Sequence, residues 1–552
     1  MFGHERPAKR TRQNLLVGEA RRALQASLAV ALLSLGVAAC DACHGGASVP
    51  PAPPPVVEPP PSLRVYFMSD LAGALEPCGC VKDQLGGLDH AAAWIDAQRG
   101  RAPASMLVTA GPTFFMNPIL EKDHRSQDIA KAEALAGALR HLGMAAWAPA
   151  ANDWSAGPPE LAKLAQSSGA PVLLANVAAD AGTTLASMRV VPVNSFKVGL
   201  IGVGAPSEEG APAGPTLPEA VRAASARARA EGANIVIVLA SVGRGEAKRI
   251  ADAVPDLSAI IVGEPLARGD GNTPTPPGEL IGNVLIAETG NHLQTLGAID
   301  FFVRGDSFVF ADGGGLGDSQ RRQDLTRRID DLHFKIANWE RDRSIAQADL
   351  AARRADLTRI EDELAHLGAK PPPAQGSYFR YTMQEVRSSL GQDPSVTAAL
   401  STYYRFVNDA NRVQLQGRFP PEPLEGQPRY IGVDACTTCH ASERKFWDKT
   451  PHAAAYATLS SQSKEYNLDC VSCHVTGYGA TGGSTVTHVD KLKDVQCEVC
   501  HGPGSFHAAK PQEARLPIPA GDACVTCHHS PHVEGFDPVS KMAMVIGPGH
   551  GR

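Results

Sequence analysis

The sequence predicts a multidomain chain in three parts: an α/β domain, a long helical segment, and a mostly helical or irregular carboxy-terminal domain. Three observations carry this. Short β-rich runs alternate with helix-like stretches between residues 63 and 312. An apolar heptad pattern free of Pro and Gly runs from Asp318 to Leu367. Four copies of Cys-x-x-Cys-His lie between Tyr430 and His528.

The chain has 552 residues, a length that suggests roughly three to four domains. Apolar residues make up 43% and charged ones 20%, so cores of ordinary size can be buried. Net charge is −6, and the first 39 residues hold six Lys/Arg against two Asp/Glu, so the remainder is more acidic still. That balance excludes nucleic acid as an expected partner.

Residues 1–39 read as an export signal: a basic start (Lys9, Arg10, Arg12, Arg21, Arg22), then an apolar run from Leu28 to Val37. The run is too short for a spanning helix. Val37-Ala38-Ala39-Cys40 resembles the bacterial lipobox, which implies lipidation at Cys40; plain cleavage after Ala39 is the alternative. Cys40-Asp41-Ala42-Cys43-His44 formally repeats the carboxy-terminal motif, but a lipidated Cys40 has no free sulfur, so it reads as coincidence. Eight prolines between Gly45 and Ser62 favour an extended tether, so residues 40–62 read as a lipidated stalk reaching on the order of 50 Å.

In residues 63–312, the runs Leu63–Met68, Met106–Thr109, Pro171–Ala175, Val198–Val203, Asn234–Leu239 and Ala259–Val262 read as buried strands. Ala91–Arg99, Ile129–Leu142 and Leu217–Glu231 have helical periodicity. The strings Ser69-Asp70-Leu71-Ala72-Gly73, Gly86-Gly87-Leu88, Val108-Thr109-Ala110-Gly111, Ala151-Asn152-Asp153, Leu239-Ala240-Ser241 and Ile261-Val262-Gly263 together resemble the metallophosphoesterases of the 5′-nucleotidase type. The resemblance covers about 250 residues and implies an α/β sandwich.

It also implies a two-metal site, and there the sequence departs from the pattern. Asp70 and Asn152 stand at ligand positions. The remaining positions hold Ala72, Pro112, Asp153, Ser241 and Glu264-Pro265-Leu266. Two-metal hydrolysis requires both ions to be clamped close together. Two ligands of about seven cannot do that, so the domain reads as a non-catalytic scaffold or docking module. Cys78 and Cys80 stay open: a soft metal, a pairing with Cys43, or reduced thiols are all compatible with the sequence.

Residues 318–412 read as a helical linker. Leu325, Ile329, Leu332, Ile336 and Trp339, then Leu350, Leu357, Ile360, Leu364 and Leu367, follow the heptad. One continuous helix of this length would span about 75 Å. A coiled coil pairing two copies of the chain, and an intramolecular helix pair, are both compatible with the pattern.

Residues 428–552 carry the four motifs: Cys436/Cys439/His440, Cys470/Cys473/His474, Cys497/Cys500/His501 and Cys524/Cys527/His528. This spacing attaches c-type haem: two thiols form thioethers and the adjacent His is the proximal iron ligand. Zinc also uses paired Cys-x-x-Cys, but it does not require a His directly after the second Cys four times in four. Four covalent haems c are therefore expected, with His440, His474, His501 and His528 proximal.

The segments Tyr430–His440, Phe446–Ala453 and Val495–Gly504 with His507 resemble the tetrahaem cytochromes of the c-554 type. That resemblance implies closely packed haems with mostly two axial His and an electron-carrier role, and it places His452 and His507 as distal ligands. His550 or His532 is the expected third, with His488 a weaker candidate. A haem without a distal His would leave an open iron for a small ligand.

The combined reading is an exported, lipid-anchored multihaem cytochrome of the periplasm or outer surface. It exchanges electrons with redox partner proteins and reaches a membrane through its anchor. The rival readings are an active nucleotidase with an electron-transfer tail, and a haem-based redox or gas sensor.

Overall fold

The structure is a computed structural model. It describes residues 59–77, 84–177, 185–204, 215–264, 266, 271–314, 316–340, 344–367, 371–529, 532–533, 536–542 and 544–547. Cys40, Cys43, Cys78, Cys80 and His550 lie outside these residues, as do the expected signal and most of the tether.

Fourteen described strands build two sheets. They are β1 (Leu63–Ser69), β2 (Ser105–Ala110), β3 (Met144–Ala148), β4 (Val172–Leu173), β5 (Leu185–Ala186), β6 (Met188–Val193), β7 (Phe196–Gly204), β8 (Ile235–Ser241), β9 (Ala259–Val262), β10 (Glu279–Ile281), β11 (Val284–Ala287), β12 (Thr295–Phe302), β13 (Phe310–Asp312) and β14 (Ser377–Glu385). The larger sheet has the order β13-β14-β12-β1-β2-β3-β4-β5 and the smaller β10-β11-β9-β8-β7-β6. β1 to β5 run parallel, as do β7, β8, β9 and β11, while β12 lies antiparallel to β1.

The period of two along a strand decides the layers. Leu63, Val65 and Phe67 of β1 point at the second sheet and pack with Leu200, Ile237 and Leu285. Tyr66 and Met68 point the other way, onto the helices Leu88–Arg99 and Arg125–His141. On the far side, Val236, Val238 and Ile260 face the helices Leu217–Ala230 and Arg244–Ala253. The result is a helix–sheet–sheet–helix sandwich with three apolar layers, the α/β sandwich that the sequence predicts.

The heptad segment takes one of its two expected forms, the intramolecular helix pair. Residues 316–367 do not form one helix but two, Leu316–Trp339 and Gln347–His366. They fold back on each other: Arg321 Nε donates to Glu363 at 2.9 Å and Arg354 to Glu340 at 2.6 Å. Leu325, Leu332 and Ile360 close a small core between them, flanked by Ile329, Leu357 and Leu364. The apolar stripe is thus used inside one chain.

Further along, Ser377–Glu385 is strand β14, paired along its length with β12 and inserted between β12 and β13. The helix Pro394–Gln414 lays Val396, Leu400, Tyr403 and Val407 onto the outer face of the larger sheet. The α/β domain therefore continues past residue 312 to 414, and the helical hairpin is an excursion from it.

The carboxy-terminal region is held by short helices, among them Val433–Thr437, Ala441–Trp447, Ala455–Ser460 and Cys497–His501. Its apolar cluster is small: Leu415, Tyr456, Leu468, Val471, Val475, Val486 and Val489. So little apolar core leaves the fold dependent on whatever fills its interior. No helix among the described residues is long and apolar enough to cross a membrane.

Candidate functional site

All four motifs line one cavity of about 2650 Å³. Small-molecule pockets run to about 300–1,000 Å³, so the space suits several large groups rather than one. Each motif is set on a tight turn. His440 N donates to Cys436 O and His528 N to Cys524 O, both at 2.9 Å. A single helical turn puts the first Cys, the second Cys and the His on one face. Neighbouring motifs touch through their thiols: Cys436 is within hydrogen-bonding reach of Cys497, and Cys473 of Cys527. Cys500 faces Cys524. The spatial sequence of the motifs is thus first, third, fourth, second.

The histidines of the first and fourth motifs each face a second imidazole. His440 and His507 have ring centres 6.3 Å apart with 31° between planes. His452 and His528 have centres 6.2 Å apart at 41°. One metal ion between two trans imidazoles requires about 6.2 Å, taking metal–nitrogen bonds of about 2 Å and about 1.1 Å from nitrogen to ring centre. The two pairs have the spacing that an iron atom would fill.

Tautomers are also set. The Nδ1 of His474 lies 2.5 Å from Ala455 O, that of His501 3.1 Å from Pro517 O, and that of His507 2.9 Å from Ala514 O. An Nδ1–H donated to a backbone carbonyl leaves Nε2 as the ligating nitrogen. Phe536 stacks flat on His528 at 4.5 Å.

His532 lies in the cavity wall, edge-on to His529 at 5.4 Å. His488 is packed on Phe419 at 4.0 Å and is not among the described wall residues.

Two residues that are neither a Cys nor a His of a motif hold the site. Glu498, inside the third motif and 2% exposed, accepts from Ile431 N, Gly432 N and Gly504 N at 2.7–3.0 Å. Gln496 accepts from Val433 N at 2.7 Å and donates to Lys491 O and Lys493 O. Together they tie the turn carrying Cys436 to the turn carrying Cys497. The signal available in the sequence was a charged residue at an interior motif position, which by composition alone reads as solvated.

The strand ends of the α/β domain bring the expected phosphoesterase positions together, but in a closed state. Ser241 Oγ accepts from Gly111 N and donates to Ala148 O, each at 2.7 Å. Asp153 accepts from Thr113 N, Phe114 N and Ala150 N. Asn152 donates to Met116 O and Leu266 O. Asp70 accepts from Glu264 N at 3.1 Å, and burial pushes its carboxyl well above the ordinary carboxylate range. Ser241 and Asp153 are thus spent on backbone groups, while one carboxyl oxygen of Asp70 and the amide oxygen of Asn152 are buried without a hydrogen-bond partner. Among the described residues, the three-residue clusters with metal-ligand reach lie elsewhere, at Asp96–His141–Asp393 and His124–Asp128–Asp469.

With this geometry in place, comparison with known proteins is informative. Residues 435–502 match the family described as "Cytochrome c554 and c-prime", a span that includes the first three motifs. The chain is 35% identical over 99 residues to cytochrome c-554 of Nitrosomonas europaea, covering 15% of this chain and 42% of that relative. A cytochrome c554 segment implies covalently bound haem c as the class of cofactor, and the cavity and its histidine pairs fit that group.

The fold is similar to solved phosphoesterase-like structures. A sulfate thiohydrolase of Thermus thermophilus gives a TM-score of 0.42 at 13% identity, over 64% of this chain and 62% of that one. A 5′-nucleotidase precursor, also of Thermus thermophilus, gives 0.40 at 18%, over 65% and 61%. A phosphoesterase of Bacillus subtilis described as calcineurin-like gives 0.37 at 19%, over 44% and 85%. The chain thus carries a cytochrome c554-type segment over residues 435–502.

Proposed function

We propose that the protein is an exported electron carrier with four covalent haems c, and that its α/β domain is a non-catalytic scaffold. The observation that carries the reading is the pair of histidine couples, His440–His507 and His452–His528, at 6.2–6.3 Å within a cavity walled by all four motifs. Haem supplies one-electron exchange at iron.

The chain's own residues do the rest. Cys436, Cys439, Cys470, Cys473, Cys497, Cys500, Cys524 and Cys527 fix the macrocycles. His440, His474, His501 and His528 are proximal ligands, and His507 and His452 are distal ligands to the first and fourth. Two imidazoles leave no position for substrate and little geometry to change on reduction, which suits relay over catalysis. His532 and His550 remain the candidates for a third distal ligand.

The strand ends support the scaffold role: Ser241 and Asp153, at two of the ligand positions, are already engaged by backbone groups. Redox partner proteins deliver and collect the electrons. Cys40 is the lipid attachment point, which holds the protein at a membrane in the periplasm or at the outer surface.

The test is a pyridine haemochrome assay and a visible spectrum on protein made in cells that mature c-type cytochromes. Four haems per chain with a predominantly low-spin spectrum is the expected result. Zinc in place of iron, or absence of haem, would overturn the reading.

A further inference from the structure

The haem-binding region is not appended to the α/β domain by a loose tether. The residues that run into Cys470 are nearly all engaged with that domain. Lys464 pairs with Glu76 and sits 4.1 Å over the ring of Tyr404. Tyr466 N donates to Asn408 Oδ1 and Tyr466 O accepts from Asn411 Nδ2, both at 2.9 Å. Gln127 Oε1 accepts from Leu468 N at 3.0 Å and from Asn411 Nδ2 at 2.8 Å, while its Nε2 reaches Asn467 at 3.2 Å. Asp469, the residue before Cys470, takes an ion pair from Lys131 at 2.7 Å.

Lys131 belongs to helix Arg125–His141 of the α/β domain, and both it and Asp469 line the haem cavity beside Cys470 and Cys473. Their side chains keep 20% and 38% exposure. Because both border the cavity, a macrocycle there would screen the pair from water and strengthen its field.

We propose that the haem on Cys470, Cys473 and His474 is an interdomain haem, with the α/β domain forming part of its wall and Lys131 supplying the cation that offsets Asp469. Lys131 is a positioning residue that sets this haem's reduction potential. The proposal rests on the haem-carrier reading above and gives the scaffold domain a specific duty within it.

The charges are stable ones. Burial opposes the Lys131 ammonium, but the Asp469 carboxylate outweighs it and holds the ammonium protonated. Burial likewise opposes the Asp469 anion, and Lys131 with His124 more than reverses this, keeping it ionised well below the usual range. Around the pair, His124, Asp128, Tyr403 and His532 are further titratable groups that feel its charges. An unpaired negative charge at the cavity wall favours ferric iron; an unpaired positive charge favours ferrous.

The experiment is a spectropotentiometric titration of full-length holo-protein at fixed pH for the wild type, Lys131→Met, Asp469→Asn and the double variant. The expected result has opposite signs. Lys131→Met lowers one of the four potentials and Asp469→Asn raises the same one. Each shift is on the order of tenfold in the ferric–ferrous equilibrium, ~59 mV for one electron.

The double variant, which leaves no unpaired charge, returns near the wild-type value and serves as the comparison should a single variant mature poorly. Haem-replete variants with all four potentials unchanged would overturn the proposal. So would single variants that move in the same direction, as loosened packing would make them, or a double variant displaced as far as a single one. A protein lacking haem on Cys470 and Cys473 fails the carrier reading instead, and haem counting separates the two.

Discussion

The imidazole of His452 faces that of His528 across 6.2 Å although the second and third motifs both lie between them along the chain. Residues 441–454 therefore set an imidazole against the last motif and not against their own neighbour. Replacing His452 with Ala should open one axial position and leave the other irons as they are. The ferrous variant should then bind CO at one haem in four, seen as a partial spectral shift, and the ferric variant should show a new high-spin signal in electron paramagnetic resonance. A spectrum identical to the wild type would exclude His452 as a ligand.

Glu498 is the link between the first and third motifs. Its carboxylate accepts from three backbone N–H groups, and hydrogen bonds to a charged group contribute about 1.5–3 kcal/mol each. Glu498→Ala should destabilise the haem-bearing region by at least about 3 kcal/mol in denaturant unfolding, with the low-spin absorption of the haems on Cys436/Cys439 and Cys497/Cys500 lost first while their thioether bonds stay intact. Glu498→Gln should fall between, since its amide can accept but also presents a donor to donors.

Much of this architecture could be read from the residues. The Cys-x-x-Cys-His repeats place eight sulfurs and four histidines without any folding argument, because covalent attachment is a local requirement. Six strands and three of the flanking helices also declare themselves by period, whereas β3 and the helix Arg244–Ala253 do not. What could not be read was non-local. Tyr378, Phe379, Tyr381 and Met383 of β14 sit among helical residues in sequence, and only pairing with β12 gives them a place. The heptad of residues 318–367 specifies a partner helix without saying whose, and in the structure Leu316–Trp339 and Gln347–His366 partner each other. Glu498, Lys131 and Asp469 carry no motif, so their roles follow only from what they meet in space.

At the strand ends, Asp153 is fully buried, and burial pushes its carboxyl up to about 7 against three amide donors. An acid whose folded value lies above its unfolded one binds more protons when folded. Its contribution is therefore complete below about pH 4 and is lost as pH rises through about 7. Asp153→Asn removes the titration. The stability difference between wild type and variant should shrink by up to about 4 kcal/mol between pH 4 and pH 8, measured as urea midpoints of the α/β transition. A difference constant across that range would show that Asp153 is ionised in the folded protein.

The same strand ends should reject metal. Added Mn²⁺ should leave the thermal midpoint of the α/β transition unchanged and hydrolysis of bis-nitrophenyl phosphate at background, because Ser241 and Asp153 are already committed to backbone groups. A saturable rise in either would revive the phosphoesterase reading.

The account rests most directly on what the eight carboxy-terminal sulfurs hold. Peptide mass spectrometry of the mature, exported protein should find haem thioether-linked at Cys436/Cys439, Cys470/Cys473, Cys497/Cys500 and Cys524/Cys527. Unmodified thiols, disulfides or zinc at those four places, in protein from cells able to mature c-type cytochromes, would contradict it.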